Sequence, residues 1–328
     1  MGQSTTPTNI QTGPSFLQRL NHIQLRHKSL GFLLAVQRKY SDDHGGYQAA
    51  LVTYYGFLSL LPLLVIVISI AQLTVFRGSG LKSRIPQILN RYFPLLGTQL
   101  ARNVHAERGA SIALIVSLAI TFYGATSIAS VFQYVINHVW EIPRRDRKGG
   151  LQAIRRNFTI IIFGGLGYLL ADVISTAAAG LGRSLLYRII AIAISLIVSF
   201  GVILLLFVLS LAEKRTIREL LLGAVTAAIG FQIVQTIGGF IIARQLSHLS
   251  TIYGAFAFVL GILFWIYLQA RIVVYALEIN TVHRLQLWPR SLVSKELTPA
   301  DKHALQLYAK RERREQPPTE EISVQFQP

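Results

Sequence analysis

TIYGAFAFVLGILFWIYLQARIVVYALEIN, residues 251–280, is the stretch on which the fold of this chain turns. It is apolar over more than the about 20 residues that a helix needs to cross a bilayer, yet it carries Arg271 and Glu278. At helical spacing Gly254, Ala257, Gly261, Phe264, Leu268, Arg271, Tyr275 and Glu278 fall on one stripe, so small residues and both charges share a face. A charge facing hydrocarbon is costly, which predicts that this stripe points into a bundle. Arg271 and Glu278 stand roughly 10 Å apart along the axis, too far for an easy direct pair. The candidate partners of Arg271 are therefore Asp172 on another helix, or Glu278 through water or a bent side chain. The opposing reading has Arg271 snorkelling to the headgroups and Glu278 lying in the interface.

The rest of the chain fits this beginning. Of 328 residues, 52% are hydrophobic and 14% are charged, against about 25% charged in a soluble domain. The balance predicts a membrane bundle with polar ends. The net charge of +17 would suggest nucleic acid in a soluble protein. Beside apolar spans it predicts anionic lipid headgroups as partner, with no nucleic acid. Without cysteine there is no disulfide, thiol nucleophile or iron–sulfur site. The first 47 residues are polar and basic and do not read as a cleavable signal peptide.

Six spans are expected near 48–76, 110–135, 158–181, 189–211, 220–243 and 252–279. The fold class is thus all-α, a polytopic bundle of six transmembrane helices with amphipathic surface helices. Lys and Arg number five before the first span, six between the second and third, three between the fourth and fifth, and eight after the sixth. The other side holds six, two and one, and Arg271 lies within a span. This asymmetry predicts that both termini are cytoplasmic. Residues 1–47 form an N-terminal segment with an amphipathic helix over 16–40, expected on the inner leaflet. Residues 48–281 form the membrane domain, with short external helices in the loop 77–109. Residues 282–328 form a basic tail with a disordered end. Within that tail Thr298 reads as an N-cap, Pro299 as the first helical position and Asp301 as the third.

Polar groups inside the spans are the candidates for a substrate path. Tyr54, Tyr55, Ser59 and Pro62 sit in LVTYYGFLSLLPLL, where the proline predicts a kink near Ser59. Asn137 closes the second span, with Trp140 beside it as an interfacial anchor. Asp172 lies in the third span and Tyr275 beside Arg271. Asp42, Asp43 and His44 read as a turn rather than a metal trio.

No catalytic constellation is present: the chain lacks a GxxxxGK[ST] loop, a GxSxG elbow and an HExxH pair. A non-enzyme without a cofactor is expected. AALVTYYGFLSLLPLL at 49–64, the Asn137-x-x-Trp140 ending and YGAFAFVLGILFWIYLQARIVVYALEIN at 253–280 together resemble the YihY / virulence factor BrkB family. The resemblance covers roughly residues 30–285. It implies a bacterial inner-membrane protein with six helices and no settled activity, in a family to which envelope roles have been attached. Some members have carried a ribonuclease BN label, but the metal ligands of such a nuclease are not found in this sequence. Two functions are expected from this: a transporter or flippase-like exporter of an amphiphilic or anionic envelope molecule, or a noncatalytic envelope-assembly protein.

Overall fold

The computed structural model describes residues 27–75 with Asn21 and Gln24 before them, 110–147, 149–180, 185–291, 297–315 and 322–326. Within these, side chains are described except at 61–75, 110–114, 117–118, 121, 168–180, 185, 188 and 236–258. Residues 77–109, expected to form an external loop, and most of 16–26 lie outside the described residues.

All described regular structure is helical. α1 (Lys28–Asp42) leads into α2 (Gly45–Val75), followed by α3 (Ala110–Val139), α4 (Gly150–Gly180), α5 (Leu185–Ser210), α6 (Ile217–Arg284) and α7 (Pro299–Arg311). Three described stretches are long and apolar enough to cross a membrane: Ile189–Ser210, Ile217–Gln235 and Val259–Arg284. Their outward faces carry large apolar side chains, among them Ile197 at 67% and Phe264 at 64% exposure. A sheath of this kind is stable in hydrocarbon rather than in water.

Helical backbone runs through all 68 residues of α6, but the run doubles back. A straight helix would separate Gly223 from Asn280 by roughly 85 Å, whereas the Gly223 N–H donates to the Asn280 side-chain oxygen at 3.1 Å. Arg284 reaches Glu219 at 3.1 Å in the same antiparallel register. The two halves can approach this closely because Gly223 and Gly230 lack side chains. A Cβ at Gly223 would lie 2.8 Å from that of Asn280, and one at Gly230 would lie 2.5 Å from Ile272. The spans expected at 220–243 and 252–279 are these two halves.

α6 is the hub, packing against α1, α2, α3 and α5, while α2 pairs with α3 and α4 with α5. The main core gathers Val135, Ile136 and Val139 of α3, Phe207 of α5, and Leu220, Ala224, Val274 and Leu277 of α6. Trp140 is 2% exposed within it, with Arg215 over its ring at 5.6 Å. It is a core residue rather than the expected interfacial anchor.

Two further expectations change. α1 turns Ala35 and Val36 toward Val282, Leu287 and Ala304, so the described part of the amphipathic helix meets protein, with Leu30 and Leu33 left exposed. The stripe of residues 251–280 also divides. Glu278 is buried, but Phe264 is exposed and a Cβ on Gly261 would meet nothing within 4 Å. Lipid is the cheaper neighbour for the apolar part, and protein for the charged part.

Polar side chains tie the helices together. The Gln133 amide donates to Asn157, which in turn donates to Ser130 at 2.7 Å, linking α3 to α4. Arg156 donates to the Leu209 carbonyl at 2.8 Å and to that of Leu211 at 2.7 Å, filling acceptors that the end of α5 leaves open.

Candidate functional site

The two ends of α1 and α2, the C-terminal end of α3, the second half of α6, and α7 converge on one charged end of the bundle. Asp43 and His44 break α1 from α2, with His44 at φ 55°. α3 ends in a Schellman motif: the Ile142 N–H donates to the Asn137 carbonyl at 3.0 Å, across Glu141 at φ 58°. Glycine is the usual occupant of that position, because a side chain is strained there. Here the position holds a carboxylate that the neighbouring charges use.

Lys39 is fully buried. Its Nζ donates to Asp43, to Glu141 Oε1 at 2.9 Å and to the Val139 carbonyl at 3.0 Å, and lies 3.3 Å from Glu278 Oε2. Arg311 of α7 adds a second cation, 2.7 Å from Asp43 and 3.2 Å from Glu141. Three carboxylates thus enclose two cations. Burial alone would lower the pKa of the Lys39 ammonium, but Glu278, Asp43 and Glu141 outweigh it and hold the pKa well above the ordinary lysine value. Burial would raise the Asp43 carboxyl, yet Lys39 and Arg311 keep it below its usual range. For Glu141 burial wins over the same two cations, and its carboxyl is pushed up.

A second lattice locks the tail. Arg290 contacts Asp42 at 2.8 Å, Asp301 at 3.0 Å and the Tyr308 hydroxyl at 3.1 Å. Asp301 also completes the capping box with Thr298, and Pro299 opens the helix, as the sequence predicts.

Arg271 stands in a different environment. It is half-buried, and its guanidinium lies 5.8 Å from the Tyr40 ring, 5.8 Å from Tyr267 and 5.7 Å from Tyr275. Tyr267 and Tyr275 are four residues before and after it, so the three share a helix face. Tyr40 comes from α1 and stacks on Tyr275 at 4.0 Å between centroids. The Tyr275 hydroxyl donates to Gln37 at 2.9 Å, fixing the cage to α1. Glu278 is paired with Lys39 instead, and among the described residues Arg271 has no carboxylate partner.

The other expected site residues are dispersed. Tyr54 is 59% exposed and packs edge-on to Tyr55 at 5.1 Å, on the outer surface. Ser59 donates to the Gly56 carbonyl at 2.9 Å and sits where Gly124 of α3 crosses, so close that a Cβ on Gly124 would be 2.7 Å away. Asn137 donates to the Ser210 carbonyl at 3.0 Å and accepts from the Ala212 N–H at 2.7 Å, which makes it a tie between α3 and the α5–α6 connection. Helical backbone continues through Pro62 and Asp172, but their side chains lie outside the described residues. Sequence reasoning missed Lys39, Asp43, Glu141 and Arg311 as a group. Only the four-residue spacing of Lys39 and Asp43 signalled it.

The profile of the family described as Virulence factor BrkB matches residues 36–295. A UPF0761 membrane protein of Psychrobacter sp. (strain PRwf-1) is 26% identical over 77% of this chain and 48% of its own length. A UPF0761 membrane protein of Acinetobacter baylyi is 24% identical over 76% of this chain and 61% of its own length. The chain therefore spans about half to three-fifths of the length of these two relatives. The inner membrane protein YhjD of Escherichia coli (strain K12) is 22% identical, over 76% of this chain and 80% of its own. No solved structure matches. Because the matched profile runs from α1 to beyond α6, the chain belongs to the virulence factor BrkB family of membrane proteins.

Proposed function

We propose that this chain is a six-span inner-membrane protein, with both termini cytoplasmic, that moves an amphiphilic or anionic envelope molecule without catalysing a reaction. The observation that carries this reading is Arg271, a cation held by three aromatic rings and matched by no carboxylate among the described residues. The rings steady its position and leave its charge for an anion that arrives from the side. The proposed topology is supported by the meeting of α1, the end of α3, the start of α6 and the basic tail at one end of the bundle. These are the segments that the charge asymmetry assigns to one side.

The test is complementation in a strain lacking the protein, read by untargeted analysis of its envelope lipids. Wild type restores the altered species, Arg271→Gln at equal abundance does not, and Arg271→Lys restores in part because it lacks the planar fork. Full restoration by Arg271→Leu removes the reading. A reporter fused at Leu95 is expected outside and one after Leu297 inside; a cytoplasmic result at Leu95 removes the six-span arrangement.

A second reading, a noncatalytic assembly protein, is favoured by the closed lattice around Lys39, which fixes the charged end as one body. Under that reading Arg271→Gln restores the envelope as well as wild type does.

A further inference from the structure

We propose that the groove between the two halves of α6 is a binding site for an anionic phospholipid, with the headgroup at Arg218 and one acyl chain along the apolar stripe that leads away from it. The groove is lined by Arg218, Leu222 and Val225 from the first half and by Asn280, His283 and Arg284 from the second. It opens where two stretches apolar enough to cross a membrane begin and end. A cationic rim at that level faces lipid headgroups rather than acyl chains.

Charge selects the headgroup. Glu219, the carboxylate in the groove, is engaged by Arg284 at 3.1 Å and by Arg215 at 4.0 Å. Arg218 is exposed and has no partner among the described residues, so the groove keeps an unmatched positive charge. Asn280 is 1% exposed. Its side-chain oxygen accepts from Gly223, while its Nδ2 is buried with no acceptor. Buried between the two halves of α6, that donor is out of a headgroup's reach, so Arg218 supplies the headgroup contact.

Shape selects a lipid over a free anion. At helical spacing Arg218, Leu222, Val225, Ile229 and Ile233 form one stripe. The four apolar members are 39%, 42%, 45% and 51% exposed. From Leu222 to Ile233 the stripe rises roughly 16 Å, about the depth of one leaflet of a 30 Å hydrocarbon core. This site needs the membrane placement but not movement of a molecule past Arg271.

Purified full-length protein in neutral detergent tests the proposal by thermal unfolding and by native mass spectrometry. The additives are phosphatidylglycerol, phosphatidylcholine or inorganic phosphate. Phosphatidylglycerol should be retained and should raise the unfolding midpoint, and the other two should not. Arg218→Gln should weaken apparent phosphatidylglycerol affinity about fivefold, the equivalent of about 1 kcal/mol for one basic residue at an anionic surface. Its lipid-free midpoint should stay at the wild-type value, Arg218→Lys should keep most of the affinity, and Arg271→Gln should leave it unchanged. Equal response to phosphatidylcholine overturns headgroup selection. An equal shift with phosphate alone replaces the lipid by a soluble anion, and unaltered affinity in Arg218→Gln removes the site. None of these results bears on complementation by Arg271 variants, so the two readings fail separately.

Discussion

Lys39 and Arg271 are both cations of a largely apolar bundle, and they are satisfied in opposite ways. Lys39 is sealed from solvent and faces three carboxylates. Arg271 is half-buried and faces three tyrosine rings. Opposite charges at contact distance neutralise a cation and leave nothing over, so the Lys39 site holds helices together. Ring quadrupoles contribute about 0.5–1 kcal/mol each at exposed sites and do not cancel the charge. The Arg271 site therefore has no counter-charge among the described residues, and under the proposed function the difference separates a fastening from a receptor within one helix packing.

The strongest way to break this contrast is Lys39→Leu. It leaves Asp43, Glu141 and Glu278 facing one another with Arg311 as the remaining cation. Removal of one partner from a buried ion group costs about 3–5 kcal/mol. A large fall in the unfolding midpoint and in monodisperse yield is expected; a midpoint equal to that of wild type would show that the lattice is not a fastening.

Asp43→Asn sharpens the contrast through pH. The folded Asp43 carboxyl lies below its ordinary value of about 3.9. Its stabilising contribution is complete above that ordinary value and is lost as pH falls through the lower folded one. The variant should be less stable at neutral pH, by roughly 1–3 kcal/mol for a lost buried charged partner. Its stability should also decline less than that of wild type at the acid end, in thermal unfolding followed from pH 7 downward. Parallel pH curves for the two proteins would contradict the assignment.

A smaller effect is expected at the other site. Tyr267→Leu removes one ring of the cage and should lower stability by about 0.5–1 kcal/mol, while weakening complementation more than Tyr267→Phe does. If Phe and Leu behave alike, the ring has no part in positioning Arg271. The smallest effect belongs to an ion pair in water. Arg144 and Glu312 meet at 3.0 Å with about half of each side chain exposed, and Arg144→Ala should lower stability by no more than about 0.5 kcal/mol. A shift as large as that of Lys39→Leu would mean that burial is not what distinguishes the pairs.

What could be read from the sequence was local. The α7 start was legible because Thr298, Pro299 and Asp301 act within one turn. The two halves of α6 were legible as separate apolar runs around polar residues near 244–251. The lattice was not legible, because its members lie far apart in the chain: Lys39 and Glu141 are 102 residues apart, and Asp43 and Arg311 are 268. Each member had an adequate local explanation, Lys39 as the polar side of a surface helix and Arg311 as the end of a basic tail. Trp140 was misread for the same reason, since aromatic residues at span ends commonly sit in headgroups and only the packing of α5 and α6 closes over this one. Arg271 was legible as a charge requiring an explanation, but its cage depends on Tyr40 from another helix.

The wide separation within the lattice also sets an order of events during synthesis. Asp43 leaves the ribosome 268 residues before Arg311, an interval of roughly tens of seconds at about 5–20 residues per second. Until the second half of α6 emerges, α1 lacks the main surface on which it docks, and Lys39 lacks Glu278. Docking of α1 is therefore a late step that waits for the second half of α6. A nascent protein halted before the second half of α6 would leave Lys39 without Glu278 and α1 without its principal partner helix.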